Sequence, residues 1–339
     1  MKEKDIQKVA SAQRVAKVFG QILVYTFLGI MALIVLFPFY FMIISSLKSL
    51  EEYRLAVPTL IPQSWKFQNY TDILIPFEMA EANGWVGTLV SPEAATNDFD
   101  LFTLFRNTMF VGIVSTIMSL VITVLSAFAF ARLNFKGKGA LFAALLGTMM
   151  IPGELFTITN YATVMTKGGW FPTFFNGLGN MFGLFGPDFR IPFVDSSFAA
   201  LIVPFLVSVF YIYLLRQNFL QIPNELYLAA KVDGTSDFKY LWKVMIPLAL
   251  PTLISITILK MMGAWNSYIW PRLVANDDAH RLITNGLRQI SFEDPAMPGM
   301  VNYPIQMAAV AIVSFPLFLV FIFLRKYIMK GVSRSGIKG

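Results

Sequence analysis

Six apolar stretches, each long enough to cross a membrane, constrain the fold of this chain more than any other feature. A helix needs about 20 mainly apolar residues to cross the hydrocarbon core of a bilayer. The stretches lie at about 20–47, 107–131, 139–165, 199–220, 246–270 and 304–324. Of the 339 residues only 14% are charged, against about 25% in a soluble domain. The sequence therefore predicts an all-α polytopic membrane protein with six transmembrane helices.

A basic segment precedes the first apolar stretch. Residues 1–18 contain five Lys or Arg side chains, and the apolar run that follows extends from Gly20 to Leu47. A cleaved signal peptide has an apolar core of only about 7–15 residues. We therefore predict that this run is retained, as a first transmembrane helix at 19–47.

The charges between the apolar stretches predict their orientation. One set of segments carries 17 Lys or Arg and 5 acidic residues: 1–18, 132–138, 216–243 and 325–339. The other set carries 9 Lys or Arg and 14 acidic residues: 48–106, 166–198 and 271–303. Because Lys and Arg are enriched in cytoplasmic loops, the first set and both termini are predicted to be cytoplasmic. The net charge of +7 is interpreted as a sign of orientation and not of nucleic-acid binding.

The three predicted external loops are long enough to have a role of their own. Loops of this length usually have a function or are disordered, and their aromatic residues argue against disorder. We expect short helices that lie on the outer membrane surface. Two roles stay open for them, a cover that shields the spans and a docking platform for an external partner.

A short polar stretch, PNELYLAAKVDG at 223–234, separates two of the apolar runs. Asn224 is a good N-cap, and Glu225 places a negative charge in the first turn, where the helix dipole favours it. Gly234 accepts the left-handed conformation that ends many helices.

A second short helix is predicted after that glycine. Thr235 or Ser236 can cap it, and Pro247 then leads into the next span. The pattern predicts two short helices joined by a tight turn over 223–244, on the cytoplasmic face.

The stretch IPNELYLAAKVDGTSDFKYLWKVMIPLALP resembles the EAA motif, the signature loop of ABC importer permeases. The general form of that motif is P-x-E-L-x-E-A-A-x-x-D-G, followed by a second helix and a proline, here Pro247. The resemblance implies that the following residues couple the chain to an ATPase: Pro223, Glu225, Leu226, Leu228, Ala229, Ala230, Asp233 and Gly234.

Other stretches resemble the sugar-permease branch of that family, the relatives of the maltose permease G subunit. They are TLIPQSWKFQNYTDIL at 59–74, RNTMFVGIVSTIMSLVITVLSAFAFARLNFKGK at 106–138, AWNSYIWP at 264–271 and YIMKGVSRSGIKG at 327–339. The resemblance implies the type I ABC importer permease fold, in the inner membrane of a bacterium or archaeon. Its permease core would span 107–328, and a cytoplasmic tail would follow at 329–339.

One position departs from the motif. Leu228 stands where the family has the glutamate that names the motif and that is implicated in a salt bridge to the ATPase. Glu225 lies three residues earlier, about one helical turn away. Whether Glu225 replaces the missing charge stays open, because the family often has an acid at both positions. One alternative for the whole stretch is a short amphipathic connector that binds no partner, since such a connector would also be capped by Asn and Gly.

The sequence offers no catalytic site. Cysteine is absent, and the single histidine, His280, has no companion for a metal site or a charge relay. No G-x-x-x-x-G-K-[ST] motif occurs, so the chain has no P-loop for ATP. We expect no catalytic residue, no cofactor and no metal in this chain. The resemblance implies that paired ATPase subunits bind ATP and Mg²⁺.

Polar residues within the apolar stretches are candidates for a translocation path, because charge in hydrocarbon is costly. They are Glu154, Thr157, Asn160, Tyr161, Lys260, Trp265 and Asn266. The spacing places the first four near one face of a helix. Alternatives stay open: contact with a partner permease for those four, an acidic partner for Lys260, and an anchor at the membrane interface for Trp265.

The resemblance implies a transmembrane subunit of an ABC importer that moves a carbohydrate by alternating access. The implied partners are a second, related permease, two ABC ATPase subunits, an extracellular solute-binding protein and membrane lipid. Two alternatives stay open. One is the same fold with another solute, such as a polyamine, phosphate or an amino acid. The other is an ion-coupled secondary transporter, which would need several buried carboxylates.

Overall fold

The computed structural model describes residues 3–92, 100–165, 174, 196–275, 277, 279–289, 292–294 and 297–333. The chain divides into two compact units. Unit 1 is Met1–Asn97 with Ser291–Ile312, and unit 2 is Asp98–Ile290 with Val313–Gly339. Most of the predicted external loop 166–198 and the last six residues of the predicted tail lie outside the described residues.

The described chain is almost entirely helical. In chain order the helices are α1 Glu3–Ser46, α2 Leu50–Tyr53, α3 Gln68–Leu74, α4 Phe77–Ala82, α5 Leu101–Arg132, α6 Lys138–Thr148, α7 Gly153–Met165, α8 Ser196–Ile202, α9 Val209–Gln221, α10 Asn224–Val232, α11 Asp237–Tyr240, α12 Ile246–Trp265, α13 Ile269–Val274, α14 Ile283–Gln289 and α15 Tyr303–Ser333. A 3₁₀ turn, Val203–Phe205, follows α8, and a π-helical segment, Leu241–Met245, joins α11 to α12. One short antiparallel pair, β1 Glu293–Asp294 and β2 Met297–Val301, is a local exception to the predicted all-α class.

Four helices of the described chain are each long and apolar enough to cross a membrane. Their spanning parts are Lys17–Ser46, Leu101–Arg132, Asp237–Trp265 and Tyr303–Arg325. They confirm the helices predicted at 20–47, 107–131 and 304–324. The stretch predicted at 246–270 is too long, because α12 ends at Trp265. Helix α1 begins at Glu3, so the basic N-terminal segment continues the first span without a break.

Two of the six predicted spans each consist of two helices with a bend between them. The stretch 139–165 contains α6 and α7, which meet at 93°, and 199–220 contains α8 and α9, which meet at 44°. Pro152, just before α7, has no N–H for a helical hydrogen bond. In the second stretch Ser208 begins a new helix, since its hydroxyl accepts from the Tyr211 N–H. Apolar composition predicts the length of such a stretch but not its bend.

The predicted loop 48–106 contains three short helices, as expected. Hydrogen bonds between polar residues hold its first part, 48–63, together. Lys48 and Glu52 are almost fully buried. The Lys48 ammonium donates to the Thr59 carbonyl, and the Thr59 hydroxyl donates to the Glu52 carboxylate at 2.6 Å. The backbone N–H of Gln63 donates to the same carboxylate. Burial alone would raise the pKa of Glu52, but these hydrogen bonds and the charge of Lys48 hold the pKa below its usual value.

Unit 2 is organised along α5, against which α9, α12 and α14 pack. Two apolar clusters of buried residues lie along this helix. The first is Val111, Val164, Ala199, Ala200, Leu201, Ile202, Trp270, Val274, Ala275 and Leu282. The second is Ala127, Phe128, Leu215, Phe219, Ile222, Tyr240, Leu241, Met245, Ala249 and Ile256. Helix α14 approaches α5 so closely at Gly286 that an added Cβ would lie 2.4 Å from a Leu104 methyl carbon.

Candidate functional site

The turn after α10 is closed by hydrogen bonds between neighbouring residues. The N–H of Gly234 donates to the Lys231 carbonyl at 3.1 Å, and the N–H of Thr235 donates to the Ala230 carbonyl at 2.8 Å. This Schellman arrangement needs a left-handed residue after the helix, and Gly234 has φ 70°. Ser236 then caps α11 through its hydroxyl. The predicted glycine stop and serine cap are confirmed.

The start of α10 differs from the prediction by one residue. Pro223 is in the N-cap position, so Asn224 is the first helical residue and not the cap. The Asn224 amide oxygen instead accepts from Nη1 of Arg132 at 3.2 Å. Nη2 of the same arginine donates to the carbonyls of Phe219 and Ile222 at 3.0 and 2.5 Å. Because a guanidinium presents five donors in one plane, Arg132 joins the ends of α5, α9 and α10.

The second predicted helix is not a separate element. Helix α11 passes through the π-helical segment into α12, and the helix is continuous from Asp237 to Trp265. Pro247 lies in the first turn of α12 and does not interrupt it, which corrects the prediction that the span begins there. The segment 237–245 and the span that follows it are therefore one element.

Asp237 joins α10 to α11 across the turn. Its Oδ1 accepts from the Tyr227 hydroxyl at 2.7 Å and pairs with Nζ of Lys231, also at 2.7 Å. The Tyr227 ring packs on Tyr240 with 5.1 Å between centroids. Burial and the Asp237 carboxylate raise the pKa of Tyr227, and the hydrogen bond to Asp237 raises the pKa of Lys231. These contacts make α10 and α11 a single body.

The outward-facing side of α10 is exposed and mostly apolar. Four residues at i, i+3, i+4 and i+7 share it, and we call them the outer face: Glu225, Leu228, Ala229 and Val232. Leu228 is 56% exposed and Val232 is 89% exposed. Leu226, Phe238 and Trp242 are further exposed apolar residues nearby. Exposed apolar patches of this kind mark interaction sites.

The predicted coupling residues fall into three groups. Four are exposed: Glu225, Leu226, Leu228 and Ala229. Three shape the ends of α10: Pro223, Asp233 and Gly234. Ala230 packs against the second apolar cluster. Glu225 and Leu228 lie on the same face, as the spacing predicts, and Glu225 has no ion pair within the described part of the chain.

A cavity of about 360 Å³ lies in unit 2, beside the bend between α8 and α9. Its polar and aromatic lining residues are Ser115, Phe205, Ser208, Tyr211, Lys260, Ser267 and Trp270. Lys260 donates to the Phe205 carbonyl at 2.5 Å, where the backbone leaves the helix. The cavity therefore combines hydroxyl groups, aromatic rings and one cation, which suits a polar solute.

Lys260 is the one predicted path residue among those that line this cavity. Its partner is a backbone carbonyl and not the acid that was one alternative. Trp265 is only 5% exposed and packs edge-to-face on Phe105, which contradicts a role as an interface anchor. Asn266 is exposed, and its amide donates to the Met262 carbonyl at the end of α12.

The four predicted path residues of α7 lie at i, i+3, i+6 and i+7 of one helix, as the spacing predicts, but they differ in exposure. Thr157 and Asn160 are half-buried and lie on the side of the buried Val164, whereas Glu154 and Tyr161 are exposed. All four follow the 93° bend, and none lines the cavity.

Sequence reasoning missed Arg132, Ser208 and Tyr211 as site residues. In the sequence Arg132 contributes to the predicted cytoplasmic charge, and its position directly after the span 107–131 is the signal for a further role. Ser208 lies in an apolar run four residues after Pro204, which is the pattern of a broken helix followed by a new cap.

Known proteins match this chain over most of its length. The family described as binding-protein-dependent transport system inner membrane component matches residues 107–334. The sn-glycerol-3-phosphate transport system permease protein UgpE of Rhizobium meliloti (strain 1021) is 28% identical, over 88% of this chain and 91% of its own. The arabinooligosaccharides transport system permease protein AraQ of Bacillus subtilis (strain 168) is 25% identical, over 92% of this chain and 94% of its own.

Solved structures match the fold. A chain of a bacterial ABC transporter involved in the import of the acidic polysaccharide alginate aligns with a TM-score of 0.67 and 22% identity, over 93% of this chain and 98% of that one. A chain of the alginate transporter in complex with an alginate pentasaccharide-bound periplasmic protein aligns with a TM-score of 0.57 and 13% identity, over 92% and 97%. These likenesses confirm the predicted permease fold.

Proposed function

The chain belongs to the family of binding-protein-dependent transport system inner membrane components, and we propose that it is a transmembrane subunit of an ATP-driven ABC importer of carbohydrate. The observation that carries this proposal is the outer face of α10, exposed and apolar on a helix whose other side is fixed to the transmembrane core. Such a face suits a soluble partner that delivers movement to the spans. The chain itself is a permease with no catalytic role, and its ATPase partners bind ATP and Mg²⁺.

Movement of the outer face reaches the membrane through two rigid connections. Asp237 ties α10 to α11, and α11 continues into α12, so a displacement of α10 moves the start of a span. Arg132 connects α10 to the ends of α5 and α9. Closure of the ATPase pair would therefore turn several spans together, between an inward-open and an outward-open state.

The contact with the ATPase is proposed to be mainly apolar at the position of the missing glutamate. Leu228 and Val232 present exposed side chains there, and burial of each would contribute roughly 1.5–3 kcal/mol. Glu225 lies one turn earlier on the same face and would place its charge at the edge of that contact.

A carbohydrate is the proposed solute. The hydroxyl groups of Ser115, Ser208 and Ser267 can both donate and accept, which matches the hydroxyl groups of a sugar. Tyr211 and Trp270 add rings with apolar faces and polar edges. The relative AraQ, named for arabinooligosaccharides, and the alginate importer support this solute class.

The complete transporter is proposed to contain a second, related permease, two ATPase subunits and an extracellular solute-binding protein. The complex of the alginate transporter with a periplasmic protein supports the last of these. Both termini would lie in the cytoplasm, as the excess of Lys and Arg indicates. Within this chain residues 17–40 of the first span are exposed, and lipid or the second permease would cover them.

A phosphate ester is the second candidate solute. The relative UgpE, named for sn-glycerol-3-phosphate, favours it. An ion-coupled transporter has less support, because such proteins move protons or ions through buried acidic groups. Glu154, the acid considered for the path, is exposed on α7.

The outer face is tested by a charge placed at its most exposed residue. Val232→Lys in the reconstituted transporter should lower ATP-dependent uptake at least tenfold while the chain folds normally, because Val232 makes few contacts of its own. The matched control is Val57→Lys, since Val57 is 78% exposed in unit 1. Uptake that survives Val232→Lys, or that does not need ATP, would contradict the coupling role.

A panel of labelled oligosaccharides tests the solute class, and no uptake of any of them would exclude carbohydrate.

A further inference from the structure

Lys260 places a positive charge inside an apolar span. It lies within the last two turns of α12 and lines the cavity beside the bend between α8 and α9. A charged side chain at such a position is costly, and it normally pairs with an acid or faces a polar pathway. Among the described residues no carboxylate pairs with it.

The contacts of Lys260 leave donors free for a solute. An ammonium has three N–H donors, and the one hydrogen bond described for Lys260 goes to the Phe205 carbonyl. The residues that line the cavity include no Asp or Glu, and the other polar ones are three serines and Tyr211. The described cavity therefore carries one positive charge and has no counter-charge of its own.

We infer that the solute which passes this cavity carries an anionic group, a carboxylate or a phosphate ester, that pairs with Lys260. The inference rests on the proposed function and narrows the carbohydrate to an acidic one. An anionic oxygen would accept from the free N–H donors in a charge-assisted hydrogen bond, which is stronger than a neutral one. A neutral sugar would leave the charge of Lys260 uncompensated.

Lys260 also has a structural contact, and the experiment must separate the two roles. Its bond to the Phe205 carbonyl satisfies a backbone group that the bend leaves without a helical partner. Loss of that bond alone would lower the uptake of every solute equally. Loss of the solute contact would affect anionic solutes only.

The test compares three solutes in the complete transporter with its binding protein: a neutral oligosaccharide, the corresponding uronic acid oligosaccharide and a sugar phosphate. Uptake by each variant is expressed relative to wild type with the same solute, which removes the selectivity of the binding protein. Lys260→Met should raise the KM for anionic solutes about tenfold to a hundredfold, with a smaller effect on kcat. Lys260→Arg should keep most of the uptake. Lys136→Met removes the same charge from an exposed loop and should change nothing.

The outcomes distinguish this inference from the proposed function. A KM that rises for the uronic acid but not for the phosphate identifies a carboxylate, and the reverse identifies a phosphate ester. An equal loss for neutral and anionic solutes, or wild-type uptake of the neutral solute only, overturns the inference and leaves carbohydrate import intact. Wild-type uptake of none of the sugars overturns the proposed solute class itself.

Discussion

Two regions differ in the sequence distance between the residues that form them. One is the two-helix segment at 223–244, here called the coupling segment after its proposed role, and the other is the cavity beside Lys260. In the coupling segment, Gly234 bonds to a residue three positions earlier, and Asp237 bonds to residues six and ten positions earlier. The cavity brings together Ser115 of α5, Ser208 at the start of α9 and Lys260 of α12. The first kind of site is visible in a linear pattern, and the second forms only when the helices pack.

Arg132 tests this comparison most strongly. It lies about 90 residues before the coupling segment, yet it donates hydrogen bonds to Asn224 at the start of α10 and to the carbonyls of Phe219 and Ile222 just before it. Arg132→Met leaves the Phe219 and Ile222 carbonyls without that donor and should cost about 3 kcal/mol. Thermal unfolding of the purified complex measures this loss, and uptake should fall with it. Lys136→Met is the exposed control. An unchanged Tm for Arg132→Met would show that α10 is held by its own turn alone.

Gly286 tests the dependence of unit 2 on distant contacts. Gly286→Ala would push a methyl group against Leu104 and should destabilise the protein by about 1–3 kcal/mol. Gly147→Ala is the matched control in α6, where an added Cβ meets nothing within 4 Å. The double variant with Leu104→Ala should recover part of the loss. If both glycine variants have the same Tm, the close approach of α14 to α5 is not as described.

Gly234 tests the local side of the comparison. Gly234→Val forces a β-branched residue into a left-handed conformation, which should cost about 1–2 kcal/mol and lower uptake strongly. Gly84→Val is the matched control, because Gly84 has φ 69° in unit 1, outside the coupling segment. The two variants should lose similar stability, and only the first should lose coupling. Normal transport by Gly234→Val would contradict the role of this turn.

The smallest expected effect belongs to the exposed pair around Asp237. A double-mutant cycle of Tyr227→Phe and Asp237→Asn should give a coupling energy of about 0.5–1 kcal/mol.

The ion pair between Lys231 and Asp237 should make stability depend on pH. Because the pKa of Lys231 is raised, the contribution of this pair to stability is complete below the ordinary lysine pKa of 10.5 and is lost as the pH rises through the raised value. The wild-type Tm should therefore fall more steeply than that of Asp237→Asn in this alkaline range. Parallel pH profiles would exclude the ion pair as a link between α10 and α11.

The predictions from the sequence succeeded where the cause lies within a few residues. Gly234 and Ser236 were identified because a helix end needs a left-handed residue and a new helix needs a cap. The prediction for Asn224 was wrong by one residue, because Pro223 with a ψ of 138° occupies the N-cap position. Pro152 was visible in the sequence, but the angle of 93° between α6 and α7 could not be read from it.

The sequence by itself determined that this chain is a helical membrane protein with a polar, two-helix segment at 223–244, because apolar length and turn chemistry act locally. Only the tertiary structure decided that α11 and α12 are one helix and that Arg132 secures the coupling segment. It also decided that Lys260, and not Glu154 or Trp265, lines the cavity. The physical reason is that a side chain's surroundings in a bundle depend on the bend and packing of neighbouring helices, which no single stretch specifies.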